Sequence, residues 1–423
     1  MKDNILDTET SSARHEQSLA NLVNPTELAG RKVLIVVENL PVPFDRRVWM
    51  EARTLKAAGA EVSVICPKGK GFDASEEVIE GINVYRHSLP LDASGALGYL
   101  VEYGAALFHE TRLTLKVWRR HGIDVIQGCN PPDLIFLVAA PLKLFGIKYI
   151  FDHHDINPEL YEAKFNRRDF FWRLMCLFEK WTFKTANVSI ATNQSYRNIA
   201  VERGGMKPDD VFIVRSGPDL TRLIKQPSTK KWHNGRDKML GYVGVMGDQE
   251  GIDLLLESLR YLVKDKGRED IQLVLVGGGP SLEALKTLAA DLELSDYVTF
   301  AGRAPDAELF DVLSNADVCV NPDRVNAMND KSTMNKILEY MAFERPIVQF
   351  DVTEGRFSAG ESSLYAKDND TIDFALKVEE LLGDPEACKR MGEVGRKRVE
   401  TEMAWPFQIP SLLNAYKRAL KIT

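Results

Sequence analysis

The chain has 423 residues, 44% of them apolar and 27% charged, and a formal net charge of -7. That length is too great for one ordinary domain and fits about two to three, while the composition is that of a soluble globular protein. The acidic balance excludes bulk attraction to nucleic acid.

Residues 1–30 form a polar N-terminal tail without the apolar core of a signal peptide. The run KVLIVV (Lys32–Val37) reads as a buried strand. A loop with Pro41 and Pro43 follows, then a helical stretch over about 47–58 that Gly59 stops, and a second apolar run at 62–66. Strands joined through a helix are parallel. The rhythm continues with strands near Val84 and at 125–127, 149–152, 188–191 and 211–214. The longest greasy stretch, LIFLVAAPLKLFGIKYIF, is interrupted by Pro141, Lys143, Gly146 and Lys148, too broken for a spanning helix. The expected location is the cytoplasm, peripheral to the membrane at most. The five cysteines are scattered without a CxxC pair, which fits reduced thiols. No metal-ligating constellation is evident, and none is expected.

Residues 216–238 are rich in Pro, Gly, Ser and basic side chains and read as an inter-domain linker. The α/β rhythm then restarts, with strands at 239–245, 272–276, 297–300, 318–320 and 347–350 and helices at 254–262 and 282–292. The division is a first domain over 31–215, a second over 239–400, and a C-terminal crossover helix over 401–423. Both domains are doubly wound and Rossmann-like, with ligands expected at the carboxyl ends of their strands. Two such domains facing each other enclose a cleft suited to two substrates.

The most informative stretch is NAMNDKSTMNKILEYMAFERPIVQF, residues 326–350. Ser332 and Thr333 are helix N-cap types. Lys336 would lie about one turn inside the helix and Glu339 three residues further on nearly the same face. An open helix end with a lysine attracts phosphate, and the carboxylate could accept both hydroxyls of a ribose. The pattern suits a nucleoside diphosphate; a surface helix with one Lys–Glu pair is the alternative. Gly244 and Gly247, in the loop running to Gly251, would allow close backbone approach to a ligand, or make a plain turn. Gly277 and Gly278, followed by Gly279, form a second such loop. A dinucleotide fingerprint there would need glycine at 282, where Leu282 stands.

Together VLIVVENLPVPFDRRVWMEARTLKAAGAEVSVICP, FDHHDINPE, VGGGP and LEYMAFERPIV resemble the retaining GT-B glycosyltransferases of family 4, over about residues 31–410. The resemblance implies transfer of a sugar from a UDP- or GDP-linked donor with retention at the anomeric carbon, no cofactor, and no metal ion. It implies a glycan or lipid-linked acceptor, surface polysaccharide or glycoconjugate assembly, and a peripheral contact with the inner membrane face. Glu339 matches the second of the family's two glutamates, the nucleoside-ribose ligand. Lys331 stands where the first, which faces the transferred sugar, would be. Val245 and Glu250 replace the arginine and lysine common after the second domain's first strand, leaving Lys336 and Arg215 as candidate phosphate cations. Residues 43–47, PFDRR, stand where many members carry a glycine pair.

His154, with Asp155, follows the strand YIFD, where the family places a histidine near the reacting sugar. Asp155 would orient His154 or bind a hydroxyl, and His153 reads as a structural hydrogen-bonder. Asn130, at another strand end, would line the acceptor side. RRDFFWRLMCLFEKWTFK, residues 167–184, reads either as an interfacial membrane segment or as core packing through Phe171, Leu174, Phe178 and Trp181. Two rival functions share the pattern: a GT-B nucleotide-sugar epimerase, and a degenerate, non-catalytic partner of another transferase.

Overall fold

The computed structural model describes residues 22–88, 95–227 and 231–422, with 95–103 described by backbone alone. Two compact units emerge: residues up to 216 together with those from 408 on, and residues 217–407.

In the first unit eight strands form one sheet in the order β3-β4-β2-β1-β5-β6-β7-β8. They are β1 (Lys32–Val37), β2 (Glu61–Pro67), β3 (Glu76–Ile79), β4 (Ile82–His87), β5 (Val125–Cys129), β6 (Lys148–His153), β7 (Val188–Ala191) and β8 (Val211–Ile213). All pairings are parallel except β3 with β4. The central strands are buried along nearly their whole length, as parallel strands covered on both faces must be. The edge strand β3, EEVI, was not foreseen, because its burial is partial and its residues carry no continuous apolar run.

The N-terminal segment is anchored from residue 22 on. Val23 and Leu28 are buried, and the Leu28 amide donates to the Ala58 carbonyl at 2.8 Å. Residues 1–21 of the expected tail lie outside the described residues.

The second unit holds β9 (Lys238–Val243), β10 (Ile271–Val276), β11 (Val298–Gly302), β12 (Val318–Asn321), β13 (Ile347–Phe350) and β14 (Ser363–Ala366). Their order is β11-β10-β9-β12-β13-β14, all parallel. This is the 3-2-1-4-5-6 order of a dinucleotide-binding sheet, whose ligand crevice opens where the order reverses, between β9 and β12. A buried tyrosine secures that point: the Val243 amide donates to the Tyr340 hydroxyl at 2.9 Å, and that hydroxyl donates to the Val320 carbonyl at 3.2 Å.

Of residues 216–238, read from sequence as linker, all but Ser216 cluster with the second unit, as do 401–407. The Ile409–Leu420 helix packs against β6, β7 and β8 of the first unit. Its apolar residues Ile409, Leu412, Leu413 and Tyr416 are buried.

Candidate functional site

In the second unit the loops after β9 and β12 meet around Lys336. Its ammonium donates to Asp323 Oδ1 at 2.8 Å and to the Tyr242 hydroxyl at 3.4 Å, and lies 4.8 Å from the centre of the Tyr242 ring. The Asp323 side chain is 2% exposed and that of Lys336 12%. Burial alone would drive the ammonium toward neutrality, but Asp323 and Tyr242 outweigh it and hold its pKa above the ordinary value. Burial pushes the Asp323 carboxyl upward, with Lys336 opposing. Glu250, at the position that carries lysine in many members, is also raised by burial, and Lys336 is its main counter-charge. Its carboxylate accepts from the Gly247 amide at 3.1 Å. Lys336 is thus a fixed cation already matched by carboxylates.

The helix carrying Lys336 is Asn335–Ala342, with Met334 at the N-cap and no side-chain cap. Ser332 and Thr333 are not its caps. The Ser332 hydroxyl donates back to the Met328 carbonyl at 2.8 Å, a local bond that competes with capping. Lys336 is therefore the second helical residue, not one turn inside, and lies beside the amides that have no intrahelical acceptor. Glu339 stands one turn further, half-exposed. Lys331 is half-exposed in the preceding loop. That loop is fastened by Asn329, whose amide donates to the carbonyls of Gln249 at 2.9 Å and Arg324 at 2.8 Å.

The glycines serve the packing of the two loops. A Cβ on Gly277, at φ +142°, would stand 1.8 Å from the Gly244 carbonyl, and one on Gly279 would stand 2.4 Å from that of Met246. These residues let the loops after β9 and β10 pack on each other. Gly278 accepts from the Met246 amide at 3.2 Å. The Gly247 amide is engaged by Glu250. Gly244 keeps a position beside Lys336, its Cβ site 3.5 Å from the lysine Cε.

In the first unit the centre is His154. Its Nε2 lies 2.7 Å from Asp152 Oδ2, so Asp152, not Asp155, orients it. Residues 152 and 154 alternate at a strand end and share a face. Arg47 completes the group. It donates through Nε to His154 Nε2 at 3.0 Å and through NH2 to Asp152 Oδ1 at 3.0 Å, and it lies 3.1 Å from Glu51. Its NH1 donates to the Val214 carbonyl at 2.8 Å. The two bonds at His154 Nε2 are alternatives: without a proton, Nε2 accepts from Arg47, and with one, in the neutral Nε2–H tautomer or the imidazolium, it donates to Asp152. Gln127 donates to Glu51 at 2.6 Å and Asp152 at 2.8 Å and accepts from the Tyr416 hydroxyl.

Asp155 is tied by its backbone to Asn130, whose side-chain oxygen accepts from the amides of His154 at 2.7 Å and Asp155 at 3.2 Å. Asn130 is therefore a clamp on this turn, since its side-chain amide also donates to Asp133 at 2.8 Å and the Asp155 carbonyl at 2.6 Å. Burial raises the Asp155 carboxyl. His153 is fully buried among Phe151, Phe183 and Tyr196, and burial lowers it to about 3, consistent with a structural role. Arg215 belongs to this unit and is buried, its amide donating to the Gln408 side chain at 3.1 Å.

Glu51, Cys129, Asp152 and His154 offer ligand atoms within 4.8 Å of one another. Arg47 contacts three of these four side chains and supplies the positive charge there.

The electrostatics give a pH dependence. Burial, followed by the Asp152 charge, raises Glu51 from 4.5 to about 8, so the folded chain keeps a proton that the unfolded chain has released. Stability from that proton is lost as pH rises between these values. Burial lowers His154, but Asp152 outweighs it and the net shift is upward, so its contribution is full below 6.5 and fades at higher pH. Asp152 shifts the other way: burial opposes its charge, but Arg47 and His154 hold it far below the carboxylate range, so its contribution is lost only in acid. Stability against thermal unfolding should therefore fall as pH rises from about 4.5 to 8 through Glu51, with His154 adding to the fall above about 6.5. Glu51→Gln should flatten that slope; an unchanged slope in this variant would remove Glu51 as its source.

Comparisons with known proteins agree with this architecture. A family profile described as "Glycosyltransferase Family 4" matches residues 45–222, and one described as "Glycosyl transferases group 1" matches residues 237–384. The chain is 28% identical over 294 residues to EpsD of Bacillus subtilis (strain 168), which carries a glycosyltransferase name, covering 67% of this chain and 73% of that protein. It is 24% identical over 342 residues to the capsular polysaccharide biosynthesis glycosyltransferase CapM of Staphylococcus aureus, covering 75% and 83%. Sucrose-phosphate synthase from Thermosynechococcus elongatus superposes with a TM-score of 0.77 at 18% identity, covering 93% of this chain and all of that one. Anabaena Alr3699/HepE, solved with UDP and glucose, superposes with a TM-score of 0.69 at 13% identity, covering 93% and 100%. With two profile matches that together span most of the chain, and a fold of two parallel-sheet units, the chain belongs to the group 1, family 4 glycosyltransferases of GT-B fold.

Proposed function

We propose that this protein transfers a sugar, with retention, from a UDP- or GDP-linked donor to a glycan or lipid-linked acceptor in surface polysaccharide assembly. The observation that carries the reading is Lys336, a buried and permanently charged ammonium at an open helix end, at the switch point of a 3-2-1-4-5-6 sheet. A leaving diphosphate needs preorganised positive charge of this kind. CapM supports the polysaccharide assignment by its name, EpsD supports glycosyl transfer, and the UDP complex of HepE supports a uridine donor. His154 is the group proposed to face the reacting sugar, with Asp152 and Arg47 fixing its ring.

The test is a thermal-shift screen of UDP- and GDP-sugars, followed by NMR of the transferred product. The productive donor should raise the melting temperature by mass action, and the new linkage should keep the donor's anomeric configuration. If no nucleotide sugar stabilises the protein, the reading fails.

Two further results are expected. Glu339→Ala should weaken nucleoside-diphosphate binding by about 1.5–3 kcal/mol, the worth of a charged acceptor to a ribose hydroxyl. Unchanged affinity in calorimetry would remove Glu339 from the site. Transfer should also survive EDTA, because the proposed diphosphate contacts are Lys336 and backbone amides at a helix end. Complete loss in chelator, restored by magnesium or manganese, would replace this arrangement with a metal-assisted one.

A further inference from the structure

The segment from 164 to 184 does not pack as an aromatic core stripe. On the Phe170–Thr185 helix the buried residues are Glu179, Thr182 and Phe183. Glu179 is held inside by Arg203, at 2.6 and 2.7 Å, and the Thr182 hydroxyl donates to the Asp133 carbonyl at 3.0 Å. Polar anchors therefore fix the inner face, and the apolar residues turn outward. Phe170 is 70% exposed, Leu177 39% and Trp181 44%, with Leu174 half-buried between them. The spacing i, i+4, i+7, i+11 makes these four one stripe along the helix.

A second stripe lies beside the first. Arg173, Lys180 and Lys184 are exposed and make no ion pair with another described residue. The run from 164 to 184 carries six Lys or Arg and only two acidic residues, Asp169 and Glu179, in a chain whose net charge is -7. Asp169 is occupied as the helix N-cap, and Glu179 is buried. The outward face is therefore apolar and cationic. The neighbouring helix Phe136–Leu142 and the turn Lys143–Phe145 extend it. The Phe136 ring lies 6.4 Å from that of Trp181, Lys143 donates to the Thr185 carbonyl, and Leu144 and Phe145 are among the most exposed large apolar side chains of the described residues. No helix among the described residues is long and apolar enough to cross a membrane.

We propose that this face of the first unit docks on an anionic lipid surface, with Phe170, Leu177 and Trp181 at the acyl boundary and Arg173, Lys180 and Lys184 among the headgroups. An interfacial helix combines an apolar stripe with flanking cations in this way, and local positive charge on an acidic protein is complementary to anionic lipid. The inference deepens the reading of a lipid-linked acceptor, because it would bring the enzyme to the surface where such an acceptor lies.

Sedimentation of the full chain with vesicles tests it, without donor or acceptor, so failure of the transferase reading would not be confused with failure of this one. The protein should bind phosphatidylcholine vesicles containing phosphatidylglycerol, bind phosphatidylcholine alone far more weakly, and lose binding as salt rises. The triple variant Arg173→Gln, Lys180→Gln, Lys184→Gln should weaken binding on the order of a hundredfold. Leu177→Ser with Trp181→Ser should also release the protein, with its melting temperature measured beside it because Trp181 packs on Phe136 and Phe178, and Phe170→Ser, at a side chain 70% exposed, should weaken vesicle binding without lowering that temperature. Absence of vesicle binding, or equal binding to both compositions, overturns the proposal. So does a dimer in ultracentrifugation that Leu177→Ser with Trp181→Ser dissolves without any vesicle binding, since the face would then join two copies.

Discussion

Lys336→Ala should lower the transfer rate by about 100- to 1000-fold, the usual effect of losing one preorganised group at a developing negative charge. The structure adds a second consequence. Asp323 is buried, and Lys336 Nζ is its cation at 2.8 Å, so removing the lysine strands a carboxylate. Breaking such a pair costs about 3–5 kcal/mol of stability, and a slower enzyme could simply be a less folded one. The double variant Lys336→Met with Asp323→Asn separates the two effects. It removes both charges, should recover most of the lost stability, and should stay as slow as the single variant. Transfer rate and melting temperature are measured on all three proteins. Normal turnover in the double variant would make Lys336 a structural residue and leave the phosphate without its proposed cation.

His154→Ala should cut transfer by about 100-fold or more while leaving UDP or GDP affinity nearly unchanged. The reason is placement: His154 belongs to the first unit, whereas Lys336 and Glu339 belong to the second. A group used only in the transition state alters the rate and not ground-state binding. Asp152→Asn is the companion variant. Asp152 is a positioning residue, bonded to His154 at 2.7 Å and to Arg47 at 3.0 Å. Losing its charge should lower the His154 pKa and move the pH profile of transfer toward acid, which a purely structural loss would not do. Nucleotide affinity and turnover falling together in His154→Ala would assign His154 to the nucleotide site or the fold. No change in either would mean that the reacting sugar lies elsewhere.

The sequence by itself determined the two α/β units and most of their strands. Buried parallel strands need continuous apolar runs such as Lys32–Val37 and Ile271–Val276, and such runs are legible without a structure. The short or half-exposed strands Glu76–Ile79 and Ser363–Ala366 left no comparable signal. Sequence also marked Lys336, Glu339 and His154 by motif order. It could not supply their partners. Arg47 and Glu51 come from the Arg46–Ala57 helix after β1, Gln127 from β5 and Tyr416 from the Ile409–Leu420 helix, and only the sheet order brings them around Asp152. Tyr242 and Asp323 reach Lys336 because β9 and β12 are neighbours at the switch point. The aromatic segment shows the limit most clearly. Helical spacing alone establishes that Phe170, Leu174, Leu177 and Trp181 share a face. Which face turns inward was decided by Arg203, which draws Glu179 into the interior and leaves the apolar stripe facing out. Periodicity is a local property of the chain. Its orientation depends on partners distant in sequence, and those exist only once the sheet has formed.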